Sequence, residues 1–199
     1  MKEGLQIVFL DLETTGLDVF RDRIVEIGMI ALFWDGWVWR ISKIFTSLVN
    51  PEMPIPLPAT KIHGITDAMV ENAPTLSKIQ DRIKNTISDL PLCGYNIINF
   101  DIPLLKNEFA RIGSLCPFPS QEIIDPYRIF RKRESGKHDL KSAVRFYAHI
   151  EPKIVHRAIY DCIGAIRVFK GQLFLYDEFN QANDPIQAMV DDSGVLFQS

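Results

Sequence analysis

Asp11 and Glu13 stand two residues apart at the end of the short apolar run Gln6 to Leu10. In an extended strand, side chains two apart point to one face, so these carboxylates would sit together and repel. A divalent cation between them relieves that repulsion, and hard oxygen ligands select Mg²⁺ or Mn²⁺ over softer metals. Thr14, Thr15 and Gly16 follow, offering hydroxyls and backbone donors in a turn. Locally, the same pair also suits a solvated turn. Asp101 and Asp161 supply two further acids, with alternative roles as a helix N-cap ahead of Pro103 and as an exposed helix acid. His156 adds an imidazole whose unperturbed titration lies near neutrality, the alternative being a surface histidine at a helix start.

The elements that must position these groups can be read from pattern. Gln6 to Leu10 is too short for a helix and has the composition of a buried strand. Ile24 to Phe33 and Val38 to Leu48 flank Trp34-Asp35-Gly36-Trp37, and Asp-Gly between two apolar runs predicts a hairpin. Pro51, Pro54, Pro56 and Pro58 mark an extended connection. Leu76, Ile79, Ile83 and Ile87 recur at helical spacing, ending before Pro91. Leu92 to Tyr95 reads as a strand, Asp101 to Arg111 as a helix, and Ile123-Ile124 as a fifth strand. Leu140 to Tyr147 and Ala158 to Tyr176 read as further helices. Strands followed by mixed helices and strands predict an α/β fold.

At 199 residues and 47% hydrophobic content, the chain can bury one sizeable core. One domain is expected over residues 1–182, and the aperiodic stretch 183–199 is expected to be a mobile tail. Cys93, Cys116 and Cys162 form no zinc-like spacing, and neither a signal peptide nor a membrane span is visible, which together predict a reducing, cytoplasmic setting. A net charge of −3 argues against a broad basic surface that wraps many phosphates. Acids gathered around cations can nevertheless face phosphate. Arg131-Lys132-Arg133, with Arg128, Lys137 and Lys141, is the one dense basic stretch and is the candidate guide for a strand, a solvated loop being the alternative.

Taken with their surroundings, these residues resemble a known family. Phe9-Leu10-Asp11-Leu12-Glu13-Thr14-Thr15-Gly16-Leu17 resembles the first motif of the DEDD exonucleases, and Asp22 to Gly28 resembles the strand that accompanies it. Gly94-Tyr95-Asn96-Ile97-Ile98-Asn99-Phe100-Asp101 resembles the second motif. Its asparagine stands five residues before the aspartate, as in the exonuclease domains of family B polymerases, rather than four as in many proofreading-subunit-like members. His156-Arg157-Ala158-Ile159-Tyr160-Asp161 is similar to the HxAxxD motif of the histidine subtype, DEDDh. Three motifs in order are far more specific than any one of them.

The resemblance implies a ribonuclease H-like core, a mixed five-stranded sheet flanked by helices, as in ribonuclease T-like members. It implies Asp11, Glu13, Asp101 and Asp161 as ligands of two Mg²⁺ or Mn²⁺ ions, and His156 as general base. Thr14, Thr15, Gly16 and Asn96 would hold the substrate, and Ile65 within Lys61 to Thr66 would be an apolar wedge near the terminal base, with packing the favoured role for His63. Trp34, Trp37 and Trp39 could stack bases, although core packing is commoner. The expected activity is 3′–5′ removal of nucleoside 5′-monophosphates from single strands of DNA or RNA. The polymerase-like second motif favours DNA. A partner polymerase is one expectation, and a silent nucleic-acid-binding module is a reading disfavoured by the intact carboxylates. Ser193-Gly194-Val195-Leu196-Phe197 faintly resembles the Leu-Phe-ending peptides that bind sliding clamps.

Overall fold

The computed structural model describes residues 4–116, 121–152 and 155–194. Three long strands open the chain: β1 (Gln6–Thr14), β2 (Ile24–Trp34) and β3 (Trp39–Leu48). Helices α1 (Leu57–His63), α2 (Asp67–Val70) and α3 (Leu76–Ile87) lead to the short strand β4 (Leu92–Cys93). Then come α4 (Asp101–Arg111), β5 (Ile123–Ile124), α5 (Pro126–Arg133), α6 (Leu140–Ala148), α7 (Ala158–Leu175), α8 (Asp177–Asn180) and α9 (Pro185–Ser193). The sheet order is β3-β2-β1-β4-β5, with β1 central. β1 pairs antiparallel to β2 and parallel to β4, giving the mixed five-stranded sheet that was expected.

Alternation along β1 divides the core. Val8, Leu10 and Leu12 pack with Ile79, Ile83, Leu104 and Phe109 of α3 and α4. Ile7 and Phe9 face the other way, against Ala165 and Phe169 of α7 and Met189 of α9. Asp11 and Glu13 continue that second series, so they leave the sheet on the side covered by α7. The helix that carries Asp161 is therefore the helix that faces them.

The Asp35-Gly36 hairpin forms as expected, with Asp35 accepting the Trp37 and Val38 N–H groups. Trp34 and Trp39 contact one another, and Trp39 meets Phe169 edge-on, so both serve packing; Trp37 is exposed. The proline-rich connection ends in a helix that its composition did not announce: Pro58 lies in the first turn of α1, where a missing N–H costs nothing.

The expected loose tail is corrected in its described part. Residues 185–193 form α9, and Ile186, Met189 and Val190 are buried in the core beneath α7. Asp184 caps this helix by accepting the Gln187 N–H, and Pro185 sits in its first turn. These three buried apolar positions are too few and too short in span to stand out as a period. Residues 195–197 of the clamp-like sequence lie outside the described residues, and Ser193 is buried within the fold. Among the described residues, no helix is long and apolar enough to cross a membrane.

Candidate active site

Asp11 and Glu13 on β1 meet Asp161 from the first turn of α7, and one carboxylate oxygen of each lies within 4.8 Å of the others. Close approach of α7 depends on Gly28, the β2 partner of Asp11. A Cβ at Gly28 would stand 2.6 Å from the Ala158 carbonyl carbon, which would push the helix bearing Asp161 off the sheet. Gly94 does the same for the second motif, where a Cβ would come 2.6 Å from the Leu10 carbonyl oxygen.

Asp101 arrives from the start of α4 and is buried. Phe100, not Asp101, occupies the N-cap position; the Asp101 carboxylate instead accepts the Leu12 N–H at 3.1 Å. On β1, only Val8 and Phe9 pair with β4, so this carboxylate satisfies a β1 donor beyond that paired region. Asp101 also adds to the charge felt by Asp11, although it is not one of the three clustered carboxylates.

The turn before α4 is held by Asp125, which follows β5 and was not singled out from sequence. Its fully buried carboxylate accepts the N–H groups of Asn96 at 2.9 Å, Ile98 at 3.3 Å and Tyr127 at 3.1 Å. Asn96 thereby adopts a left-handed backbone, φ 65°, and its side-chain oxygen accepts from Asn99. The Asp125 N–H donates to Ser193 Oγ, linking α9 to the same turn.

The hydroxyls expected to contact substrate are already engaged. Thr14 Oγ1 donates to the Gly16 carbonyl, while Thr15 Oγ1 donates to Asp22 and accepts the Arg23 N–H. They build the turn that follows Glu13. Ile65 is a correction: it is fully buried with Val25, Ile55, Ala59 and Val70, so its side chain packs inward rather than wedging into a cleft. His63, buried below it, accepts the Ile65 N–H through Nδ1.

His156 immediately precedes α7, exposed and with a left-handed backbone, φ 43°. Burial raises the Asp161 carboxyl, and the nearby His156 pulls against that rise. His156 and Asp161 line one cavity of about 960 Å³ together with Tyr160, Val155, Lys141 and Arg167. Glu26, another residue not singled out from sequence, is buried opposite Glu13 on β2 and bonded to Arg157 and the Ala158 N–H.

Electrostatics define the character of the cluster. Burial, then the nearby charges of Asp101, Asp161, Glu13 and Glu26, push the Asp11 carboxyl well above its usual range. Burial first, with Asp161 and Glu26, pushes Glu13 up to about 7, against the pull of Arg157. Burial also raises Asp101 and Asp161. Hard anionic oxygens gathered at this spacing fit a divalent metal, whose charge would relieve their repulsion.

Part of the basic stretch is a further correction, while Arg131 lies over the Tyr127 ring. Lys132 and Arg133 both pair with Asp192 of α9, Arg133 also pairs with Glu178, and Arg128 donates to the Ser193 carbonyl. These cations fasten the C-terminal helices to α5. Lys137 pairs with Asp139 and Lys141 with Glu151, whereas among the described residues no acid pairs with Arg167.

Comparison with known proteins agrees with this geometry. A family model described as exonuclease, of the ribonuclease T type, matches residues 8–169. The chain belongs to this family and is a DEDD-type 3′–5′ exonuclease domain. It is 30% identical over 170 residues to a DNA polymerase III epsilon subunit of Buchnera aphidicola, covering 81% of this chain and 71% of that protein. Identity is 28% over 171 residues to a PolC-type DNA polymerase III of Caldanaerobacter subterraneus, covering 84% of this chain but only 11% of the polymerase. Among solved structures, exonuclease X in complex with 5′ overhanging duplex DNA aligns with TM-score 0.68 and 25% identity over 94% of this chain and 99% of that one. Exonuclease I shares the fold, with TM-score 0.72 and 20% identity over 85% of this chain and 41% of its own.

Proposed function

We propose that this chain removes nucleoside 5′-monophosphates from the 3′ ends of single-stranded DNA, and of RNA less readily. The observation that carries the proposal is the meeting of Asp11, Glu13 and Asp161 within 4.8 Å, with His156 and Asp161 lining the same cavity. Asp11, Glu13, Asp101 and Asp161 would hold two Mg²⁺ or Mn²⁺ ions. When bound, such cations supply Lewis acidity for the water and charge for the leaving 3′ oxygen.

The chain's own groups do the remainder. A His156 ring nitrogen accepts the proton of the attacking water, and the Asp161 carboxylate stands beside the imidazolium that results. The turn Thr14 to Gly16, closed on itself by its hydroxyls, fixes the direction in which Glu13 points. Asn96, set by Asp125, borders the second motif where substrate would lie. Arg167 on the cavity wall, rather than the acid-paired Lys132 and Arg133, is the cation that would face a phosphodiester strand. Buried thiols at Cys93 and Cys162 suit a reducing intracellular setting.

Relatives named as DNA polymerase III subunits support DNA over RNA and a place beside a polymerase, as a proofreading activity. The decisive experiment digests matched single-stranded DNA and RNA with Mg²⁺ or Mn²⁺, in parallel with Asp11→Asn. Stepwise shortening from the 3′ end of DNA, silenced by EDTA and by Asp11→Asn, is the expected result. Activity indifferent to chelation, or equal on RNA, would reject the metal mechanism or the DNA preference respectively.

A further inference from the structure

We infer that Glu26 and Arg157 are a positioning pair that sets His156 over the acid cluster. This rests on His156 being the base. Among the described residues no hydrogen bond holds the His156 ring, so its place must come from its backbone. That backbone is in the left-handed region at φ 43°, which a non-glycine residue adopts when its surroundings enforce it. On its C-terminal side the enforcement is visible.

Arg157, the next residue, is the N-cap of α7, yet its own side chain caps nothing. It reaches across to β2, where its Nε donates to both Glu26 oxygens at 2.9 Å and its Nη2 donates to Oε1. Glu26 Oε2 also accepts the Ala158 N–H at 3.0 Å, capping α7 from another element. One buried carboxylate therefore grips two consecutive residues, 157 and 158, directly after the histidine. The planar fork of arginine suits this grip, and lysine cannot reproduce it.

The pair also explains why a fifth acid, fully buried, is tolerated beside the site. Glu26 is the β2 partner of Glu13, and its charge adds to that felt by Asp11, Glu13 and Asp161. Arg157 offsets it, so a mere helix cap without a cation would burden the site. Neither residue is among the clustered carboxylates that would take metal. Their effect on turnover passes through the neighbour they hold.

Arg157→Lys and Glu26→Gln, each alone and combined with His156→Ala, test this in single-turnover assays on a single-stranded DNA oligonucleotide with saturating Mn²⁺. In the wild-type background each should lower the chemical step by up to about 100-fold, with KM and calorimetric Mn²⁺ affinity retained. In the His156→Ala background each should add no more than about a twofold loss. Should Glu26→Gln melt below the assay temperature, the neutral pair Glu26→Gln/Arg157→Gln replaces it. An equal loss in both backgrounds, or a loss carried by KM or metal affinity, overturns the inference while leaving the base intact. Near-normal turnover of His156→Ala itself refutes the base, and with it any role for the pair in setting it.

Discussion

Replacing Glu13 by glutamine should abolish turnover yet make the metal-free protein more stable in mild alkali. Glu13 sits with Asp11 and Asp161 in one cluster, and burial plus these charges push its carboxyl from 4.5 to about 7. A raised folded-state value means that its stability contribution is fully present below about pH 4.5 and is lost as pH rises through about 7. At about 1.4 kcal/mol per tenfold, the full loss is about 3 kcal/mol, which partial solvent exposure of Glu13 trims to about 2 kcal/mol. For a chain of this size, that corresponds to a Tm about 4–8 °C higher for Glu13→Gln than for wild type. The assay is thermal melting in EDTA at about pH 8 and again at about pH 4.5, where the two proteins should melt together. Added Mg²⁺ should then raise the wild type but not the variant. Equal melting in EDTA at both pH values, or a less stable variant in alkali, would refute the claim that these carboxylates are held in mutual repulsion.

His156→Ala should retain KM and metal affinity while kcat falls roughly 10²- to 10⁴-fold, measured by steady-state digestion at saturating metal. Loss of the acid limb of the pH–rate profile in that variant would accompany it. Met189→Ala, which empties a fully buried position under α7, should cost about 2–5 kcal/mol in denaturant unfolding; a loose C-terminal segment would show no change. Neutralising Lys132 and Arg133 should lower the melting temperature with KM nearly unchanged, because Asp192 and Glu178 occupy them. Arg167→Ala should instead raise KM and flatten its salt dependence.

Local chemistry made much of this molecule legible. The two-residue spacing of Asp11 and Glu13 placed them on one strand face, and the helical runs after Thr75, Asp101 and Ala158 matched α3, α4 and α7 closely. Those signals are periods within single elements, and a period survives without knowledge of neighbours. Ile65 differs from its expected role for the complementary reason: whether an isoleucine is a wedge or a core residue depends on what covers it, and Val25 does so from the distant strand β2.

The same boundary separates the site's two kinds of residue. Sequence alone singled out the acids and the histidine, through motifs that resemble a known family, and three of those acids, Asp11, Glu13 and Asp161, stand together in the fold. Only the tertiary structure decided what supports them: Gly28 admits α7 because it has no Cβ, Asp125 gathers the second motif, Glu26 grips Arg157 across the sheet, and Asp192 claims Lys132 and Arg133. A glycine's missing Cβ matters only where another backbone passes. A buried charge is intelligible only with its partner, and Glu26 and Arg157 are 131 residues apart.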